Sequence, residues 1–227
     1  MWKRTKIRFG ECVYCGNTRP ITDDHIPPKN LFPKPRPNDL ITVPSCYPCN
    51  NEASLDDEYF RMMLIMRHDT ATHVAAKQNW DTVLRGLKKP EQEGLKRSLL
   101  KSISRTLVQT PAGLIIPGAT YEVDLQRLAN VGSRITAGLF FRERSYRLPD
   151  TYKIETHPDP FFTHDDPLKL MQSLSPVLES SPKRIGNGVF TYWRGFVAED
   201  EKMSMWLMLF FDSFSFVSLT APIEDVG

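Results

Sequence analysis

The chain has 227 residues, of which 41% are hydrophobic and 25% charged, and its net charge is +2. That composition suits a globular protein whose core needs no stapling by disulfides, and it excludes a polycation. No apolar run is long enough to span a membrane, and the basic start MWKRTKIRFG is not followed by an apolar segment, so a soluble, cytoplasmic protein with no membrane partner is expected. Charge is unevenly spread: residues 1–40 hold eight Lys or Arg against four acids, which suits a phosphate-bearing partner, although a solvated arm would have the same composition.

The first motif in chain order is ECVYCG, with Cys12 and Cys15; its counterpart is SCYPCNN, with Cys46 and Cys49. All four cysteines of the chain fall in these two C-x-x-C pairs. In a reducing compartment such pairs point to a tetrahedral thiolate zinc site more than to disulfides. Four thiolates leave no open coordination position, so this zinc is expected to be structural and to fold residues 1–66. Between the pairs, TDDHIPPKNLF reads as a short strand stopped by Pro27 and Pro28, and LITV at 40–43 as a second strand. Asn50 opens a helical pattern with acids in its first turn.

Taken together, CVYC, DDHIPP, LITVPSC and a CYPCN that opens a helix resemble the HNH, or ββα-metal, nucleases, over roughly residues 8–66. The resemblance implies a treble-clef-like module of two strands and a helix braced by two zinc knuckles. It places Asp24 and Asn50 as ligands of a catalytic Mg²⁺ or Mn²⁺ and His25 as the general base. Those roles make chemical sense: hard oxygen donors favour such ions, and imidazole accepts a proton near neutral pH. The sequence departs from the pattern at two places. The family's middle asparagine falls on Ile41, leaving Asn38 as the nearest candidate, and the basic residue often found four positions after the last cysteine is Ala53. Asn50 also suits a plain helix N-cap.

Beyond the motif, residues 69–87 and 95–108 read as helices. In the second, Leu95, Leu99, Ile103 and Leu107 form an apolar stripe opposite Arg97, Lys101 and Arg105, a basic face that could track a nucleic-acid backbone or simply be solvated. TPAGLIIPG is strand-like and suggests a boundary near 110. Residues 124–143 read as a helix capped by Asp124, with Leu125, Leu128, Ile135 and Leu139 inward. Residues 158–182 read as loop-rich, with a short helix near 166–174; His157 and His164, in HPDPFFTHDD, are better explained by a Pro/Asp-rich loop than by a second metal site. The end of the chain is β, and MWLMLFF, apolar on both faces, reads as a central strand.

The expected fold class is therefore α+β. It comprises a zinc-braced module (1–66), a helical connector (67–109) and a C-terminal domain with an antiparallel sheet (110–227). The expected function is metal-dependent hydrolysis of DNA phosphodiesters by an HNH-type endonuclease that nicks as a monomer. By analogy with stand-alone proteins of this kind, it would serve bacterial restriction or phage defence. A protein partner or a second copy would dock through the C-terminal domain. The rival is a non-catalytic zinc module that binds nucleic acid or protein.

Overall fold

The computed structural model describes residues 8–109, 113–158, 174, 176–179 and 181–223. The expected helix near 166–174 and His164 lie outside the described residues, apart from Leu174. No helix among them is long and apolar enough to cross a membrane.

The N-terminal part is a three-stranded antiparallel sheet in the order β1–β2–β3, with β1 at Arg8–Glu11, β2 at Thr18–Ile26 and β3 at Ile41–Cys46. Two helices follow, α1 (Tyr47–Glu52) and α2 (Ser54–Ile65). Asp56 and Asp57 sit in the first turn of α2, where carboxylates favour the helix dipole. Tyr59 through Ile65 are all buried, so α2 is enclosed on every side from Tyr59 on, while its first turn stays open to solvent at Leu55.

Next come α3 (Val74–Gly86) and α4 (Glu93–Ser102). The predicted helix over 69–87 is shorter at its start: His73 is the N-cap, its Nδ1 accepting from the Ala75 N–H at 3.2 Å. The predicted helix over 95–108 stops at Ser102. Residues Ser104–Gln109 instead form β4, which pairs with β5 (Ile115–Thr120) as a hairpin. A spacing of four fits both a helical stripe and one face of a strand, so Leu95, Leu99, Ile103 and Leu107 could not decide between them. Of the four, only Leu99 is fully buried, and Leu107 is exposed. The basic stripe is split, with Arg97 and Lys101 on α4 and Arg105 on β4.

Helix α5 (Leu125–Arg144) begins as its sequence predicts: Asp124 accepts from the Arg127 N–H at 3.1 Å. Leu128, Val131, Ile135 and Leu139 are buried, whereas Leu125 is exposed. The last element is a five-stranded antiparallel sheet in the order β6–β10–β9–β8–β7. Its strands are β6 (Tyr152–Pro158), β7 (Lys183–Ile185), β8 (Phe190–Phe196), β9 (Ser204–Phe210) and β10 (Phe214–Pro222). The MWLMLFF stretch supplies β9, the middle strand, as expected of a run apolar on both faces.

Helix α5 joins the two sheets. At Gly138 an added Cβ would lie 1.6 Å from Ile26 Cδ1 and 3.6 Å from Val43 Cγ1, so the helix backbone rides directly on β2 and β3. At Gly132 it would lie 2.6 Å from Thr156 and 3.3 Å from Phe216, on β6 and β10. One contiguous core results, running from Ile26 and Val43 through Phe60, Leu139 and Phe140 to Phe210 and Phe216.

Candidate metal centre and the Asp24–His25 site

Residues 12–17 form a tight turn: Gly16 N–H donates to Cys12 O at 2.9 Å, Cys12 N–H to Asn17 O at 3.1 Å, and Gly16 takes φ +70°. The Val13 N–H bonds Pro44 O at 3.0 Å, which fixes this turn against the end of β3. Cys46 ends β3 and Cys49 lies on α1, so strand and helix deliver the second pair. The sulfurs of Cys12, Cys15, Cys46 and Cys49 all lie within 4.8 Å of one another, close enough to hold a metal ion such as zinc. The Cys15 and Cys46 sulfurs are 3.8 Å apart. A tetrahedral ion with Zn–S bonds of about 2.3 Å has edges of about that length.

The thiol chemistry agrees. Burial raises Cys12, but backbone bonds at Cys15, Cys46 and Tyr14 outweigh it and bring it below its ordinary value. Hydrogen bonding at Asn17, first by its backbone and then by its side chain, brings Cys15 down to about 6. Burial and the neighbouring sulfurs push Cys49 up. Four thiolates this close repel one another, and a divalent cation is what relieves them.

The first knuckle reaches directly into the second site. Tyr14, between Cys12 and Cys15, donates its hydroxyl to Asp24 Oδ2 at 2.6 Å. Burial and the charge of Asp24 hold the Tyr14 phenol well above its ordinary value, so it remains a donor. Asp24 is 8% exposed, and the same Oδ2 accepts from Arg134 of α5 at 2.5 Å. The Arg134 guanidinium lies over the Tyr14 ring, 4.7 Å from its centroid, and 3.6 Å from Asp57 of α2. Two carboxylates therefore share one guanidinium. Asp24 is the nearer, and Asp57 is pushed up to about 7, because burial outweighs the help it receives from Arg134 and the charge of Asp24 adds to it.

His25 follows Asp24 on β2, half-buried and opposite Thr42 of β3. Burial first, then the positive charge of Lys29, lowers its pKa below the ordinary histidine value. That shift favours the neutral imidazole, the form a proton acceptor needs. A cavity of about 10 Å³, room for roughly one water, is lined by His25, Asp24, Asp57, Tyr14 and Arg134 together with apolar side chains.

Asn50 lies on α1, and its Nδ2 donates to Thr22 Oγ1 at 3.0 Å. Thr22 is two residues before Asp24 and shares its strand face. The structure thus brings Asn50 onto the strand of Asp24 but anchors it at Thr22, two residues before that carboxylate. Asn38 is exposed in the turn before β3; no hydrogen bond among the described residues joins it to Asp24 or Asn50. Ile41 pairs with Ile26 in the sheet. Of the other histidines, His68 is exposed, and His157 is exposed on β6 opposite Val217.

Sequence reasoning missed Tyr14, Arg134 and Arg147, and it read Asp57 as either an added acidic contact or an ordinary acid of a helix's first turn. Tyr14 stood in plain view inside the C-x-x-C. Arg127 and Arg134 are seven residues apart on α5, two turns, and they meet Asp56 and Asp57 on α2, the first pair at 2.6 Å. Two arginines at that spacing beside an apolar stripe are a detectable signal, but their partners are not local. Arg147, paired with Asp150, backs Gly16 and donates to Tyr14 O at 3.4 Å. No family model, no curated protein and no solved structure matches this chain.

Proposed function

We propose that the chain is a zinc-braced, metal-dependent nuclease of the HNH kind that hydrolyses DNA phosphodiester bonds. One observation carries the reading: Asp24 and Asp57 share a single guanidinium beside His25, in a site tied through Tyr14 to the thiol cluster. With both carboxylates ionised the cluster is one positive charge short, which favours a further cation. The oxygen donors available, the Asp24 carboxylate and the Asn50 amide oxygen, fit Mg²⁺ or Mn²⁺. Such an ion, once bound, would neutralise charge on the scissile phosphate. Asp24 holds Arg134 in this structure, so the ion and the guanidinium compete for the same carboxylate.

In this mechanism the chain's own groups have separable tasks. Four cysteines fix the knuckle, the knuckle fixes Tyr14, and Tyr14 with Arg134 fixes Asp24. His25 takes a proton from water on an imidazole nitrogen; its lowered pKa keeps that nitrogen free at neutral pH.

The Asp24–Arg134 ion pair also favours a second reading, a non-catalytic zinc module in which Asp24 is structural and nucleic acid is only bound. Relaxation of supercoiled plasmid separates the two. The nuclease should nick with Mg²⁺ or Mn²⁺ and stop with EDTA. Cleavage that persists in EDTA removes the metal mechanism, and no cleavage with any ion leaves the binding module.

A further inference from the structure

The loop that follows His25 closes a second, wholly different site. A cavity of about 560 Å³ lies between this loop, α2 and α3. Lys34 and Arg36 come from the loop, Arg61 from α2 and Arg85 from α3, while Gln78 and Thr82 add neutral polar groups. None of its lining residues is acidic.

The walls are fixed. Asn79, buried on α3, donates to Leu31 O at 2.8 Å, and Asn30 donates to Asp57 O at 3.1 Å. The second bond joins Asn30, which lines this pocket, to Asp57, which lines the cavity at His25, so the two sites are adjacent. Arg61 has a side chain only 7% exposed; one guanidinium nitrogen pairs with Glu58, and its Nε is buried without a partner. The Arg36 Nε donates to Lys29 O at 3.1 Å, which ties this arginine to the loop backbone. Lys34, Arg36 and Arg85 are exposed and pair with no carboxylate among the described residues. Like charges gathered in one concavity repel one another unless an anion joins them, and arginine forks match phosphate oxygens.

We propose that this pocket binds a backbone phosphate of nucleic acid that flanks the phosphate at His25. The proposal rests on the reading of the chain as a nucleic-acid enzyme and names where its substrate lies: past the Pro27–Pro33 loop, toward α3.

The test uses the full, zinc-loaded chain and a fluorescently labelled DNA duplex, with anisotropy read across a salt series without magnesium or manganese. The triple variant Lys34→Gln/Arg36→Gln/Arg85→Gln should weaken binding on the order of tenfold at low salt and reduce the slope of log K against log salt by about 1–2. An equal-charge control, Arg97→Gln/Lys101→Gln/Arg105→Gln, should leave the slope unchanged, since Arg97 is already tied to Glu93 at 3.2 Å. An unchanged slope in the pocket variant overturns the proposal, as does equal loss in the control or a wild type that binds no DNA. Calorimetric binding of inorganic phosphate that the pocket variant loses, with DNA binding intact, also overturns it in favour of a free-phosphate site. Failure here is separable from failure of the nuclease reading: wild type that cleaves, with a pocket variant that binds normally, removes only the pocket. A pocket-dependent slope without any cleavage keeps the pocket and removes the chemistry.

Discussion

Asp57 is caught between burial and a guanidinium it must share. Its folded pKa is raised from 3.8 to about 7, so its protonated form is the one the fold prefers. The stability this contributes is fully present below about pH 4 and is lost as the pH rises toward about 7, because the unfolded chain gives up the proton first. Asp57→Asn keeps the shape of the neutral acid and removes the titration. Measured by urea unfolding without added magnesium or manganese, the variant should gain on wild type between pH 4 and 7, by a few kcal/mol at most. Parallel curves for the two proteins would mean that Arg134 satisfies both carboxylates. At this scale the sequence was half legible. The cysteine spacing alone indicated the cluster, and Asp24-His25 indicated the site. Arg134, 110 residues from its partner Asp24, could not be paired with it from local pattern, because side-chain partnership over that distance is set by packing.

Between elements, the helix that carries Arg134 is held in place by missing side chains. Gly138 lets α5 approach β2 so closely that any Cβ there would displace Ile26, which is 2% exposed and has no free volume to enter. Gly138→Ala should therefore destabilise by about 1–3 kcal/mol through overpacking, despite alanine's better helix propensity. Gly94→Ala on α4, where nothing lies within 4 Å, should instead stabilise by about 0.5–1 kcal/mol. Thermal unfolding of both variants checks the pair, and a neutral or stabilising Gly138→Ala would show that α5 does not seat on β2 this closely. The ends of α5 were legible because Asp124 and its apolar spacing are local signals. The β4–β5 hairpin was not, since Ile103 and Leu107 suit either period and the deciding partner, Ile115–Thr120, comes later in the chain.

The described residues share one core, with the thiol cluster at its edge. Because Tyr14 reaches Asp24, which pairs with Arg134 of α5, the thiol cluster is linked to α5 and through it to both sheets. Cys49→Ser should lose the ion and loosen residues 12–66 first, with a drop in thermal midpoint of the whole chain, since metal binding and folding are coupled in such units. Elemental measurement should find about one zinc per wild-type chain; a metal-free protein with the same midpoint as Cys49→Ser would remove the centre. The composition and the β-rich end indicated an α+β chain, and MWLMLFF indicated the middle of its sheet. That a single helix would join the two halves into one core was not visible, because an apolar stripe says that a helix is buried and not against what.

The most direct test of the nuclease reading is the single-turnover cleavage rate of His25→Ala, compared with Asp24→Ala and Asn50→Ala, on plasmid with Mg²⁺ and again with excess Mn²⁺. The imidazole acts on the water and the oxygens on the ion, so His25→Ala should lose on the order of 10²–10⁴-fold and stay lost in Mn²⁺, with its zinc content and DNA affinity kept. Asp24→Ala and Asn50→Ala should recover in part. A loss of about tenfold or less for a folded, zinc-loaded His25→Ala falls short of positioned acid–base catalysis and would contradict the role given to His25.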